Sequence, residues 1–282
     1  MLTSIRGLTA ATFAAGIALS AVPALAEEAP SAPLVLTGDF TDLDIEKAVE
    51  SIAAEQASSL GAESGFDISA NVALVSEYNF RGVDLSGGDP AIQGGLDLAH
   101  SSGFYVGTWA STMDDDTVGY GDFEIDVYGG FGGDLTEGVS YDVGGILYIY
   151  PDAGAGDFDY WELYSSVGFD LGPASTKVGI AYAPSQDSLD FGGGKDDNLY
   201  VYTDLSFGIP TTPVTLTGHL GYTDGVLTYT ADSKAFDWSI GLEATFGPAT
   251  VGVAYVDAEG EHLPGDYKFT DSAIIASISA SF

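Results

Sequence analysis

The chain has 282 residues, no cysteine, and 42 Asp and Glu against 7 Lys and Arg, which gives a formal net charge of -35. The lack of cysteine excludes a disulfide framework and thiolate metal sites, and the acidity excludes nucleic-acid binding through a basic patch. Charged residues make up only 17 % of the chain and hydrophobic residues 45 %, so the composition is that of a folded protein rather than an acidic disordered one.

The first 26 residues have the features of a secretory signal peptide. Arg6 supplies a positive charge, residues 8–22 form an apolar stretch, and the Ala-Leu-Ala of residues 24–26 is a small-residue cleavage site. The stretch is too short for a retained membrane helix and ends at Pro23. We therefore expect export from the cytoplasm and a mature chain that begins at Glu27.

Residues 27–65 are predicted to form an acidic periplasmic arm. Pro30 and Pro33 favour an extended linker, after which apolar residues recur at helical spacing between a candidate N-cap at Thr41 and a candidate stop at Gly61. The pattern predicts one short amphipathic helix, which would be a plug in a pore, a site for a periplasmic partner, or part of a loosely ordered arm. The third interpretation is favoured because no second helix is available to bury the apolar stripe.

From residue 66 to residue 282 the hydrophobic pattern alternates with a period of two, which indicates β-strands. An even number of strands of about ten residues is typical of a bacterial outer-membrane barrel. We predict an all-β fold, a twelve-stranded antiparallel transmembrane β-barrel, whose last strand closes the sheet against the first near residue 70. The predicted strands span residues 68–81, 91–99, 104–112, 122–131, 139–149, 159–171, 174–183, 198–209, 214–223, 236–246, 249–257 and 273–282.

The connections between the predicted strands alternate in length. Short turns, such as Gly172-Pro173 and Gly247-Pro248, follow the even-numbered strands, and mostly longer acidic loops follow the odd-numbered ones. An outer-membrane barrel has short turns on one rim and long loops on the other, whereas a soluble β-sandwich has no reason for this alternation.

One face of the predicted strands is apolar, with aromatic residues near both strand ends and aliphatic residues between them. Two aromatic girdles around an aliphatic band indicate a wall that faces lipid. On the long-loop side the predicted girdle contains Tyr78, Phe80, Phe123, Trp161, Tyr182, Tyr222, Trp238 and Tyr255, and on the short-turn side Phe131, Phe169, Phe207, Phe246 and Phe282.

The opposite face supplies the predicted interior, where acids far outnumber bases. So many carboxylates in a dry core would carry a large desolvation cost, so we expect water there. Rings of Asp and Glu favour cations over anions in a pore. The alternative is that the acids are only a solvated wall and that the pore is plugged. The candidate pore-lining residues are Glu77, Arg81, Asp97, Glu124, Asp126, Tyr128, Asp142, Glu162, Asp204 and Glu243.

Two kinds of inward residue have competing interpretations. Arg81, beside Glu77, would either set the electric field at a constriction or pair with a carboxylate and pin the first loop to the wall. Inward tyrosines such as Tyr148 and Tyr200 would either fill a narrow polar lumen, which is the favoured interpretation, or stack against a sugar or aromatic solute.

No catalytic, cofactor or metal site is predicted. The sequence has no G-x-S-x-G, H-E-x-x-H or P-loop motif. A lipid-hydrolysing barrel needs an outward His–Ser pair, and His219 falls on the inward face. The run Asp114-Asp115-Asp116 matches no calcium-binding motif, so we interpret it as a solvated loop.

Three stretches of the first strands resemble a known family. Residues 71–82 (NVALVSEYNFRG) contain S-x-Y-x-F-R-G, residues 103–111 (GFYVGTWAS) contain G-F-Y-x-G-T-W, and residues 89–97 (DPAIQGGLD) lie between them. Together they resemble the opening of the TorF-type porins, a proteobacterial outer-membrane family, and this resemblance implies a porin-like barrel without naming a substrate. The terminal Phe282 is similar to the signal that many such barrels offer to the outer-membrane assembly machinery, which implies that machinery as a partner.

We therefore expect a non-enzymatic porin in the outer membrane of a Gram-negative cell. It would contact membrane lipid and pass small solutes by diffusion, with a preference for cations. The alternative is a closed structural barrel that uses its acidic loops at the cell surface and transports nothing.

Overall fold

The computed structural model describes residues 65–154, 158–191, 197–263 and 269–282. The predicted signal peptide and the acidic arm with its amphipathic helix lie outside the described residues, apart from Gly65. Within the described ranges, no helix is long and apolar enough to span a bilayer.

The described residues form a closed antiparallel barrel of twelve strands, in which each strand pairs with its neighbours in sequence. This confirms the predicted fold, and most strand bounds differ from the predicted ones by no more than two residues. A small hairpin, one short α-helix and two 3-10 helices, Asp187–Leu189 and Val226–Thr228, interrupt the series. The strands are β1 (Phe66–Val75), β2 (Asn79–Phe80), β3 (Val83–Asp84), β4 (Ala91–His100), β5 (Phe104–Thr112), β6 (Phe123–Thr136), β7 (Val139–Ile149), β8 (Tyr160–Asp170), β9 (Ala174–Ala183), β10 (Asn198–Gly208), β11 (Val214–Gly225), β12 (Lys234–Phe246), β13 (Ala249–Glu259) and β14 (Ala273–Ser281), and the helix is α1 (Asp115–Val118).

The last strand closes the barrel against the first, as the sequence predicts. Leu74 lies opposite Ile278 in the β1–β14 pair. Ala70 and Phe282 exchange two backbone hydrogen bonds of 3.0 and 2.9 Å. Closure gives every strand a partner on both sides, which a lipid environment requires because an open edge would leave backbone groups unpaired.

The outer surface of the wall is apolar. In β14, Ile274 and Ile278 are 71 % and 53 % exposed, whereas Ile275 between them is 2 % exposed. Large exposed side chains of this kind would be core residues in a soluble protein, but in a barrel they are the lipid-facing band. Several predicted girdle residues lie on this surface at the strand ends. They include Phe123, Trp161, Tyr182 and Tyr255 on one side and Phe169, Phe207, Phe246 and Phe282 on the other.

The two rims differ in the way predicted from the connections. The short connections, residues 101–103, 137–138, 171–173, 209–213 and 247–248, lie on one rim, which we call the turn rim. The long connections lie on the opposite rim, which we call the loop rim.

The prediction for the first strand is wrong beyond residue 75. The wall strand β1 ends at Val75, and the chain then turns into the barrel, so Tyr78 is only 1 % exposed and does not belong to the outer girdle. Phe80 also leaves the girdle, since its ring lies 6.0 Å from the inward Tyr148 ring. The cause is a two-residue loop, Arg81-Gly82, with φ values of 51° and 79° between β2 and β3. Two positive φ angles are the signature of a type I′ hairpin turn.

Gly82 provides a test of how tightly this hairpin fits. A Cβ at Gly82 would lie 2.5 Å from the Ala258 Cβ and 2.8 Å from the Asp237 Cβ, whereas a Cβ at Gly88, whose φ is also positive, would meet nothing within 4 Å. Both Gly→Ala changes carry the cost of a positive φ, but only Gly82→Ala adds overpacking. We expect Gly82→Ala to lower the free energy of unfolding by about 1–3 kcal/mol more than Gly88→Ala. Urea unfolding of the two variants measures the difference, and equal losses would contradict the fit.

Candidate functional site in the barrel interior

Inward side chains become more buried from the turn rim towards the loop rim. Asp67, Asp170 and Thr245 point inward at the turn rim and are exposed. Near the loop rim, the inward Glu124 and Glu162 are 1 % and 0 % exposed. The interior is therefore accessible to water at the turn rim itself. We call the part of the interior next to that rim the turn-side half, where Asp97, Asp142 and Glu243 are still 7–8 % exposed, and the filled part beneath the long loops the loop-side half.

The first loop itself helps to fill the loop-side half. Residues 76–90, which we call the first-loop segment, carry the β2–β3 hairpin inward and bury Val83 and Leu85. The Asp84 N–H donates to the Phe269 carbonyl over 2.8 Å, and the Asp114 N–H donates to the Leu85 carbonyl over 3.0 Å. Because these bonds reach two other long loops, the segment is attached on several sides of the barrel.

Arg81, at the tip of this hairpin, makes a paired contact with the opposite wall. Its Nη1 and Nη2 atoms donate to Glu162 Oε1 and Oε2 over 2.9 and 2.7 Å. The guanidinium also lies 4.6 Å from the Phe80 ring centroid and 4.5 Å from that of Tyr200, so cation–π attraction adds to the ion pair. The arginine therefore pins the first loop to β8, as the second interpretation of the sequence predicts, and its partner is Glu162.

Tyrosine hydroxyls donate hydrogen bonds to five of the inward carboxylates of the described chain. A hydrogen bond to an ionised acceptor is stronger than a neutral one and compensates part of the desolvation cost of a buried carboxylate. The donor–acceptor pairs are Tyr78–Glu124 (3.0 Å), Tyr105–Asp142 (2.7 Å), Tyr128–Asp97 (2.5 Å), Tyr148–Glu162 (3.1 Å) and Tyr200–Asp237 (3.0 Å).

Inward glycines make several of these bonds geometrically feasible. Gly107 on β5 lies between Asp97 on β4 and Tyr128 on β6 in the same row of the sheet. A Cβ at Gly107 would lie 2.5 Å from the Tyr128 ring and 2.6 Å from Asp97 Oδ1. The tyrosine thus lies flat over a strand that has no side chain at that point and reaches an acid two strands away. Gly130 and Gly221 play the same part beneath Tyr105 and Tyr200.

A second group of charged side chains lies on the wall nearer to the turn rim. The sheet register places Lys177 opposite Asp204 and Asp204 opposite His219. The His219 Nδ1 lies 2.6 Å from Asp204 Oδ1, and its Nε2 lies 3.0 Å from Asp237 Oδ1 and 2.6 Å from the Tyr200 hydroxyl. This row combines both signs of charge, so the wall next to the turn-side half is more balanced than the acid count alone implies.

The predicted pore-lining residues fall into two groups. Eight lie on barrel strands with inward side chains, and all of these except Asp204 are buried. Glu77 and Arg81 belong to the first-loop segment and not to the wall. Burial raises the pKa of the half-buried Glu77 carboxyl to about 7, and the nearby Asp84 charge acts in the same direction. Glu124 and Glu162 are 1 % and 0 % exposed, so these two acids do not face water as the sequence predicts.

Sequence reasoning missed the pairing of tyrosines with acids, although part of the signal was present. The wall tyrosines and the acids occupy inward positions of their strands, and an inward glycine lies between the two partners in three of the pairs. The pairs are separated by 14 to 46 residues in the chain, so their identification requires the register of several strands at once.

Comparisons with known proteins give one family and a shared fold. A family model described as a bacterial protein of unknown function (Gcw_chp) matches residues 59–282. No curated protein sequence matches the chain.

Two solved porins have similar structures. The NanC porin aligns with a TM-score of 0.53 at 12 % identity, over 77 % of this chain and 99 % of that one. A KdgM porin, solved in complex with disordered oligogalacturonate, aligns with a TM-score of 0.50 at 8 % identity, over 76 % of this chain and 98 % of that one. At these identities the likeness establishes the porin-type barrel fold alone. By the extent of its match to the family model, the chain belongs to the Gcw_chp family of bacterial proteins.

Proposed function

We propose that this protein is an outer-membrane channel of the porin type, which passes small solutes and is narrowed by its first loop. The observation that carries the proposal is the closed wall, apolar outside and polar inside, with an interior open to water at the turn rim. A closed structural core has no need for so many inward carboxylates, because burying each one costs free energy. The first-loop segment then makes the loop-side half the narrowest part of the path.

We further propose that the channel prefers cations. Inward acids on the described strands outnumber the basic groups Arg81, Lys177 and His219, and Arg81 is neutralised by Glu162. Carboxylates beside a narrow path attract cations and repel anions. Besides Asp67 and Asp170 at the exposed turn rim, the inward acids include Asp97, Glu124, Asp126, Asp142, Glu162, Asp204, Asp237 and Glu243.

Reversal potentials across a KCl gradient in planar bilayers test the channel and its selectivity together. We expect discrete conductance steps and a reversal potential on the cation-selective side. Asp204→Asn, which changes an incompletely buried inward acid, should reduce this selectivity, whereas Asp232→Asn in an exposed loop should not. Anion selectivity of the wild-type protein would reject the proposed preference.

The filled loop-side half favours one alternative function, that of a closed barrel. Under this alternative the first-loop segment and the tyrosines seal the lumen permanently, and the acidic loops act at the cell surface. Liposome swelling distinguishes the two functions, because a channel admits small sugars or amino acids and a sealed barrel admits nothing. Lack of swelling together with lack of conductance would favour the closed barrel.

The proposal includes a route to the membrane. Residues 1–26 would direct export, the arm up to residue 65 would remain periplasmic, and the C-terminal strand ending in Phe282 would be recognised by the outer-membrane assembly machinery. The S-x-Y-x-F-R-G element supports membership of the TorF-type porins, and it lies where the first loop enters the lumen. We propose no enzymatic activity.

A further inference from the structure

Among the residues that the structure describes, three carboxylates in the loop-side half face a deficit of positive charge. Glu124 and Asp126 occupy alternate positions of β6, so both point inward from the same strand. Glu162 lies on β8, and Tyr148, which is directly opposite Asp126, donates to it. The three residues are 1 %, 2 % and 0 % exposed. Carboxylates so deeply buried need a compensating charge or a proton.

Within the described part of the chain, the guanidinium that contacts this cluster belongs to Arg81, and it is already engaged. Both Glu162 oxygens accept hydrogen bonds from Arg81, so the charges of that pair cancel. Glu124 Oε1 accepts the Tyr78 hydroxyl over 3.0 Å. Glu124 Oε2 and Asp126 Oδ1, however, are fully enclosed and have no hydrogen-bond partner among the described residues. Buried polar atoms without partners are rare and often indicate a missing ion or water.

We propose that Glu124 and Asp126 hold a divalent cation of the calcium type in the loop-side half of the barrel. Three carboxylates and one guanidinium leave two negative charges, which one divalent ion neutralises. The free atoms are hard oxygens, which suit calcium or magnesium, whereas most transition-metal sites use nitrogen or sulfur.

Calcium fits better than magnesium because it tolerates irregular oxygen geometry. Within the described ranges, no three His, Cys, Asp or Glu side chains converge as a preformed metal site. The two carboxylates must therefore be supplemented by water or other oxygens, and a site with so few charged ligands binds in the range of about 0.1–1 mM. The site does not depend on transport, since a closed barrel would have the same charge deficit.

The competing occupant of the site is a single proton shared by Glu124 and Asp126. Two neighbouring buried carboxylates often retain one proton because both cannot ionise without compensation. The two occupants make stability depend on different solution conditions. A shared proton makes stability depend on pH and not on calcium, whereas a bound ion makes it depend on calcium at constant pH.

Calcium-dependent thermal unfolding of the refolded mature protein in detergent tests the proposal. Samples in chelator are compared at constant pH and ionic strength with samples in 5 mM CaCl2 or in KCl. We expect calcium to raise the unfolding midpoint by roughly 3 °C or more, and KCl not to do so. Asp126→Asn and Glu124→Gln should each abolish the shift. Asp97→Asn is the matched control, since Asp97 is another buried inward acid but lies apart from the cluster and bonds Tyr128.

Terbium luminescence gives a second readout that does not depend on unfolding. Terbium replaces calcium in oxygen sites and is sensitised by nearby tyrosine, and the Tyr78 hydroxyl lies 3.0 Å from Glu124. We expect a calcium-competable signal that Asp126→Asn and Glu124→Gln lose and Asp97→Asn keeps. Equal signals and equal calcium shifts in all variants would place the ion elsewhere and overturn the proposal. A wild-type protein without either response would also overturn it, in favour of the shared proton.

Discussion

Removal of the first-loop hairpin is expected to raise the single-channel conductance several-fold. Val75 at the end of β1 lies directly opposite Ala91 at the start of β4, so a short Gly- and Asn-containing turn in place of residues 77–89 can join the two strands. The change removes Tyr78, Val83 and Leu85 from the loop-side half, where they are almost fully buried. Water and ions would then occupy the space that these side chains fill.

The same change is also expected to strengthen cation selectivity. Deletion removes Arg81 together with the acids Glu77, Asp84 and Asp89. It leaves Glu162 without its cation and exposes Glu162, Glu124 and Asp126 on the wall to the path. A control deletion is available at α1, whose residues Asp115–Val118 include none that is buried. Planar-bilayer recordings should show wild-type conductance for the α1 variant and larger steps for the hairpin variant. Identical steps in both variants would mean that the first loop is not the constriction.

The barrel wall was predictable because the patterns that specify it lie within single strands and the connections next to them. A period of two gives the two faces of each strand, and the alternation of short and long connections gives the direction of each strand relative to the rims. Ile275 illustrates the limit of hydropathy alone, since it is an apolar residue that points inward and is 2 % exposed. Ile275 lies on the same face of β14 as Ser277 and Ser279, two and four residues later, and this position identifies it as inward, whereas its hydrophobicity does not.

The interior was less predictable because its contacts join residues that are far apart in the sequence. Residues 75–81 keep their alternation after the wall strand ends, so the period gives no sign that the chain turns inward. The turn depends on the backbone of Arg81, which has a positive φ of 51° that is uncommon for a residue other than glycine. The Arg81–Glu162 contact joins residues 81 positions apart, and no local pattern identifies such a partner.

The sequence also overstated how exposed the inward carboxylates are. Counting acids predicts a wet interior, since each carboxylate is costly to bury. The tyrosine hydroxyls and the Arg81 guanidinium supply much of the compensation that water would otherwise give. Glycines such as Gly107 provide the room for it, because a flat ring occupies the space over their backbone. The interior is therefore best understood as a set of paired groups, in which the removal of one partner affects the other.

Replacing Glu162 in the Arg81–Glu162 pair is expected to destabilise the barrel by about 3–5 kcal/mol, because the buried guanidinium loses the carboxylate to which it donates two hydrogen bonds. The side chains of Arg81 and Glu162 are 8 % and 0 % exposed, so water cannot replace the lost partner without opening the interior. Glu162→Gln keeps the size of the side chain and removes the charge. Asp170→Asn, an inward acid of the same strand at the exposed turn rim, is the matched control and should change stability by about 0.5 kcal/mol or less.

A double-mutant cycle separates the pair from the individual side chains. Arg81→Met leaves Glu162 with only the Tyr148 donor, and the double variant Arg81→Met/Glu162→Gln contains no buried charge at this point. Replacing both members of a buried ion pair is often near neutral, whereas removing one is not. We therefore expect the double variant to be more stable than Glu162→Gln alone, with a coupling energy of about 2 kcal/mol or more in urea unfolding. Additive losses would show that the two side chains act independently, and the first loop would then be attached to the wall mainly by its backbone hydrogen bonds and by the fit of Gly82 against Ala258.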